Sequence, residues 1–166
     1  MSYDVEIREL DLSAIFDLKG PMDDLKPRIS GLAPAFPDRA NTATRSGEME
    51  LYWIGLDHWL LRGPIEGENE LIATIDPSAA SGDISIVLIS DTLAFFSISG
   101  PDADQIMAIA SPLDTHRSAF PANGVTFTEA FGLKALVVRR DDGYDLGCDR
   151  SYGDMVADYL GRAVGA

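Results

Sequence analysis

Few side chains in this sequence are of a type and spacing that could do chemistry. There are two histidines and one cysteine among 27 acidic residues. His58 stands beside Trp59 in an alternating stretch, and His116 follows Asp114 across one residue. Two imidazoles cannot build a His-rich metal centre, and no His-x-x-x-His or Cys-x-x-Cys spacing occurs. Asp114-x-His116 alone is a poor ligand set and reads as a surface loop. Cys148 ends a stretch expected to be partly buried, where a thiol is a small, inert hydrophobe. A nucleophilic thiolate needs positive surroundings, yet Asp145 and Asp149 oppose the nearby Arg150.

Other chemical signatures fare no better. Gly-x-Ser-x-Gly, Gly-x-Gly-x-x-Gly and Walker A patterns are absent. Gly100-Pro101-Asp102-Ala103 could present a helix N-terminus to an anion, but Asp102 and Asp104 crowd that end, which favours helix capping. Trp53 and Trp59 face each other across an expected hairpin and read as core packing. From the residues alone, no catalytic, cofactor-binding or metal-ligating residue is assigned.

The elements that would position any site centre on residues 92–107. Leu93, Phe95 and Ser97 alternate with Ala94, Phe96 and Ile98, a strand pattern. Gly100 frees the backbone to turn, Pro101 suits a first helical position, and Ala103, Ile106, Met107 and Ala110 recur at helical spacing. The same order appears about 80 residues earlier, where residues 14–19 lead into Gly20-Pro21, Asp23, Asp24 and Leu25.

The remaining elements follow this plan twice. Residues 4–10 read as a short edge strand. A helix starting near Asp24 would place Pro27 in its first turn, where proline is tolerated. Residues 31–48 are rich in Pro, Asn, Thr and Gly and read as one long loop. Strands at 49–54 and 58–62 flank a Gly55-Leu-Asp57 turn, and a second helix runs from Glu66 to before Pro77. Residues 83–90 are almost continuously apolar, as a central strand would be. In the second half, strands at 125–129 and 134–140 precede an Asp142-Gly143 hairpin signal and a returning strand to Cys148. Ser151 is the expected N-cap of a last helix with an apolar stripe of Tyr152, Met155, Val156, Tyr159, Leu160 and Ala163. Each half is a split β-α-β order, the second lacking a closing strand that the N-terminal strand can supply. The expectation is an α+β fold of duplicated ferredoxin-like halves with antiparallel sheets. It forms one domain over 1–166, built from two pseudo-repeats at about 13–90 and 92–164.

Composition narrows the partners. Thirteen basic against 27 acidic residues give a net charge of −14, which disfavours nucleic acid and anionic membrane surfaces. No apolar run is long enough to span a bilayer, and the N-terminus lacks the basic and apolar regions of a signal peptide. A lone cysteine excludes an internal disulfide and fits a cytoplasmic protein.

Several motifs in order carry a resemblance. They are Trp53-Ile-Gly-Leu-Asp-His-Trp-Leu-Leu61, Ser99-Gly-Pro-Asp-Ala103, Pro112-Leu-Asp114 with Phe120-Pro121, and Arg150-Ser-Tyr152. Together, over about residues 12–160, the chain resembles the gamma subunit of heterotetrameric sarcosine oxidases, a relative of the folate-binding domain of the glycine-cleavage T-protein. The first motif is similar to that family's Trp-Leu-Gly-Pro-Asp-Glu-Trp-Leu-Leu hairpin, with Leu56 standing for proline and His58 for glutamate. The resemblance implies a T-protein folate-binding-domain-like fold and a cytoplasmic complex that oxidatively demethylates sarcosine. FAD, FMN, NAD and tetrahydrofolate would be held by the larger partner subunits, and this chain would dock as a non-catalytic subunit with no site residues to carry over. The alternative is a stand-alone folate or small-molecule binder of the same fold, which a roomy pocket lined by Trp or Phe with a convergent carboxylate would favour.

Overall fold

The computed structural model describes residues 3–80 and 82–165, and among them the chain forms ten strands and four helices. In order these are β1 (Glu6–Glu9), β2 (Ser13–Lys19), α1 (Met22–Ile29), β3 (Ala43–Ser46), β4 (Met49–Gly55), β5 (His58–Pro64), α2 (Glu68–Ile75) and β6 (Ser85–Leu88). There follow β7 (Leu93–Ser99), α3 (Ala103–Ala110), β8 (Val125–Ala130), β9 (Leu133–Arg140), β10 (Gly143–Asp149) and α4 (Gly153–Gly165). The chain divides into two compact units, Leu12–Ser90 and the described parts of Met1–Asp11 with Asp91–Ala166. The closing strand of the second unit is thus the N-terminal β1, as the vacancy at its edge requires.

The unit Leu12–Ser90 holds a sheet ordered β3-β4-β5-β2-β6, and the other holds β8-β9-β10-β7-β1, every pair antiparallel. Position by position the two orders correspond, which gives the α+β class with duplicated ferredoxin-like sheets. The alternation of β2 turns Ala14, Phe16 and Leu18 into one apolar cluster with Leu25, Ile29, Leu71 and Ile75 of α1 and α2. In the other unit Ala94, Phe96 and Ile98 of β7 join Ile106 and Met107 of α3 and Val156 and Leu160 of α4. Helices of eight residues are marginal alone. Each buried Leu or Ile contributes about 1.5–3 kcal/mol, so α1 is held chiefly by Leu25 and Ile29, both buried.

The Gly-Pro turns do the same work in both units. Gly20 and Gly100 share a φ of 126°. Gly20 N–H donates to Asp57 O and Gly100 N–H to Asp142 O, both at 2.9 Å. A Cβ on Gly20 would lie 2.6 Å from Asp83 O, and one on Gly100 2.7 Å from Asp4 O. Both glycines therefore sit at the end of an interior strand next to the edge, tied to a hairpin turn on one side and pressed by the lead-in to an edge strand on the other.

Six expectations need correction. First, α1 begins at Met22, so Pro27 lies beyond the first turn; its side chain is exposed, and Leu25 and Ile29 hold the helix around it. Second, the 31–48 connection is not all loop, because Ala43–Ser46 pairs with β4 as an edge strand. Third, 83–90 is not a central strand: β6 has four residues at the sheet edge, with only Ile86 buried. Fourth, Asp141 and Asp142 make the hairpin turn, while Gly143 starts β10; a Cβ there would fall 1.9 Å from Ile98 O, so glycine is needed for close approach. Fifth, Asp149 rather than Ser151 caps the last helical segment, accepting from Ser151 N–H at 2.9 Å. Sixth, Asp102 and Asp104 do not cap α3 through their side chains. Asp102 Oδ2 accepts from Asp4 N–H at 2.7 Å and Asp104 accepts from Tyr144 Oη.

Candidate functional site

The β4–β5 hairpin gathers the most chemically varied side chains of its unit. Register places Trp53 opposite Trp59, and their rings stack at 6.2 Å with 28° between planes. Phe36 meets the Trp59 ring edge-on at 5.4 Å. Trp59 is buried and its Nε1 has no hydrogen-bond partner, whereas Trp53 Nε1 donates to Gly55 O at 2.8 Å. The pair packs against the core, as expected, Trp59 within the cluster and Trp53 partly buried against it. At the turn, Asp57 takes a left-handed φ of 47° and Leu56 is 91% exposed.

Beside this pair, His58 lies opposite Lys19 in the ladder, so Asp17, two residues along β2, shares its face. His58 Nε2 hydrogen-bonds to Asp17 Oδ1, and Lys19 Nζ lies 3.2 Å from the same carboxylate. An Asp-held imidazole supplies two of a catalytic triad's three members, but it needs a hydroxyl or thiol nucleophile in reach. The chain's one thiol, Cys148, belongs to the other unit. There it is buried, and burial first, then the charge of Asp149, pushes its pKa up, the opposite of activation. His116 is exposed in its loop, bonded to Ser118 Oγ at 2.7 Å, with its N–H donated to Asp114 Oδ1 at 2.9 Å. Asp114 and His116 thus stabilise a loop turn. No group of three or more His, Cys, Asp or Glu able to hold a metal occurs among the described residues.

Tyr144 is one of the buried polar groups of the second unit, with Ser111, Arg139 and Asp145. Its Oη donates to Asp104, the Arg139 guanidinium lies 5.0 Å from its ring centre, and its pKa is pushed up to about 12. Burial is the main cause, followed by the bond to Asp104, which favours the neutral phenol. Arg139 also donates to Thr115 O and lies over Phe120, tying the 111–124 loop to the sheet. Neither the Asp17–His58 nor the Asp104–Tyr144 pair had a local sequence signal, because each joins residues about 40 positions apart.

Two cavities bear on ligand binding. One of about 330 Å³ is lined by Lys26, Ile29, Ser30, Ala33 and Phe36 among others, and no carboxylate is among its described lining residues. It has the aromatic residue but not the convergent acid of the small-molecule alternative. The other, about 160 Å³, mixes Arg117 and Arg139 with Asp104, Asp141 and Asp142 near Gly100. Five opposed charges in so small a space cradle neither an anion nor a cation. No helix among the described residues is long and apolar enough to cross a membrane.

Comparison with known proteins gives the arrangement its context. One chain of the heterotetrameric sarcosine oxidase from Corynebacterium sp. U-96, solved with pyrrole 2-carboxylate, matches with a TM-score of 0.85 at 17% identity, over 96% of this chain and 83% of that one. The glycine cleavage system aminomethyltransferase T from Bartonella henselae matches with a TM-score of 0.69 at 11% identity, over 96% of this chain and 46% of that one. The regulatory subunit of aspartate kinase from Thermus thermophilus, ligand-free, matches at 0.52 and 13% identity, over 98% and 99%. At such identities these likenesses show a shared fold. A comparison with curated protein sequences finds no match. The family model of the sarcosine oxidase gamma subunit, however, matches residues 32–165, which covers most of the chain and reaches into both units. The chain belongs to the sarcosine oxidase gamma subunit family.

Proposed function

We propose that this chain is the gamma-type subunit of a heterotetrameric sarcosine oxidase, and that it docks on and stabilises the larger subunits while supplying no catalytic or cofactor-binding residue of its own. In this reading the larger subunits hold FAD, FMN, NAD and tetrahydrofolate and oxidatively demethylate sarcosine in the cytoplasm. The observation that carries it is the family match across 32–165. That match reaches into both units, which supports treating the chain as one domain of two pseudo-repeats. The geometry agrees with a non-catalytic role: the candidate nucleophile is buried with a raised pKa, and His58 serves a cross-strand pair.

The test is coexpression with the larger subunits. The isolated chain is expected to be colourless, with no sarcosine-dependent oxidation, and to copurify through an interface of more than about 2,000 Å². In the assembled complex, Cys148→Ser, His58→Gln and His116→Gln should leave turnover within a few-fold. A thousandfold loss with assembly intact, about 4 kcal/mol of transition-state stabilisation, would overturn the non-catalytic role. Purification with tightly bound folate and no association with those subunits would establish the small-molecule binder instead.

A further inference from the structure

The two units differ at one corresponding edge. β1 and β6 occupy matching places, each paired on one side only, to β7 and β2. β1 exposes Glu6, Arg8 and Glu9, charges that discourage another strand from adding to the sheet. β6, Ser85-Ile86-Val87-Leu88, carries no charge, and Val87 and Leu88 are 48% and 37% exposed.

Its backbone is equally open. Ile89 N–H donates to Ile15 O at 2.8 Å. In an antiparallel ladder the inward pairs alternate, so Val87 and Ser85 face β2, opposite Asp17 and Lys19. The N–H and C=O groups of Ile86 and Leu88 therefore point away from the sheet. Two donors and two acceptors beside two exposed apolar side chains form a template for an added strand.

Charge says what kind of strand fits. Exposed Asp83 precedes β6 and exposed Asp91 follows it, while Asp17, opposite Val87, is already held by Lys19 and His58. The chain as a whole carries −14, so a second copy would meet like charge along this edge. We propose that β6 takes up an extended segment of the larger subunits, apolar at its centre and flanked by Lys or Arg. This rests on the docking role given above.

The experiment coexpresses the chain with tagged larger subunits. Three variants are compared: Val87→Lys, which sets a positive charge on the edge, Leu88→Pro, which removes an outward N–H without breaking a bond to β2, and Arg8→Ala on the β1 edge. Wild type and Arg8→Ala should be recovered equally. Both β6 variants should lose at least about tenfold in recovery while melting as wild type does. Hydrogen exchange at Ile86 and Leu88 should slow on assembly. Full recovery of both β6 variants would overturn the edge and leave the docking role standing, whereas failure of wild type to associate would overturn both. Should the β6 variants fail to fold, exchange in the wild-type complex decides, and unprotected Ile86 and Leu88 amides would overturn the proposal. A wild-type homodimer broken by Val87→Lys would assign the edge to a second copy and overturn it as well.

Discussion

Gly20→Ala should be among the most damaging single-methyl additions in the Leu12–Ser90 unit. At a φ of 126° a side chain is strained whatever the space around it. Such backbone strain costs about 1–3 kcal/mol. The new methyl would also lie 2.6 Å from Asp83 O and 2.8 Å from Ile84 Cγ2, at the lead-in to β6. Overpacking of this kind adds roughly 1–3 kcal/mol, because backbone rather than a flexible side-chain tip must move. The combined loss is therefore about 2–6 kcal/mol. Gly31→Ala is the internal control: its φ is 84°, but nothing lies within 4 Å, so only the conformational cost of about 1–2 kcal/mol remains. Urea unfolding followed by far-ultraviolet circular dichroism separates the two. With a slope of about 2 kcal/mol per molar urea, Gly20→Ala should move the midpoint down by roughly 1–3 M and Gly31→Ala by less than about 1 M. If the two variants fall equally, the close approach at Asp83 contributes nothing and the reasoning fails.

The Tyr144 phenol, with its pKa raised to about 12 by burial and by Asp104, favours the fold while neutral. That contribution is fully present below about pH 10, where the unfolded phenol titrates, and is lost as pH rises through about 12. It amounts to at most on the order of 3 kcal/mol. Urea midpoints of wild type should fall more steeply between pH 10 and 12 than those of Tyr144→Phe, and parallel profiles would count against the assignment. Cys148, buried with a raised pKa, should react with a disulfide reagent at pH 8 at least about a hundredfold more slowly in the native chain than in urea. Rapid native labelling would place the thiol at the surface.

Where local chemistry dictates the backbone, the sequence was legible. Gly20-Pro and Gly100-Pro announced two equivalent strand ends because few other residues allow that turn and that closeness. Trp53 and Trp59 were readable as partners because both lie beside the Leu56-Asp57 turn, although an irregularity between Trp53 and Gly55 shifts the register that the turn alone would set. Legibility failed where tertiary context decides. The run 83–90 looks central by composition, yet only Ile86 of β6 reaches the core. β3 was hidden because a short edge strand needs little apolar surface: Ala43 alone is buried, while Arg45 and Ser46 are exposed. Ser151 and Asp149 are both good caps by type, and it is the folded backbone that aims Ser151 N–H at Asp149 Oδ1. The polar pairs Asp17–His58 and Asp104–Tyr144 are products of sheet register and helix packing, and no short motif encodes them.

The exchange of edge strands also sets an order in time. The ribosome delivers β1 before the Leu12–Ser90 unit, but its partner β7 begins at Leu93, after the whole of that unit has been made. That first contiguous unit carries all five of its strands and can close while β1 still waits. Glu6, Arg8 and Glu9 then keep a solitary strand hydrated during the interval. When β7 arrives, the chain between them is some 80 residues long. Once folded, the insert brings its own ends together, with Ile15 N–H donating to Ser90 Oγ at 3.0 Å, so little loop-closure cost is left to be met. β1, made before the Leu12–Ser90 unit, is thus locked into place only after it.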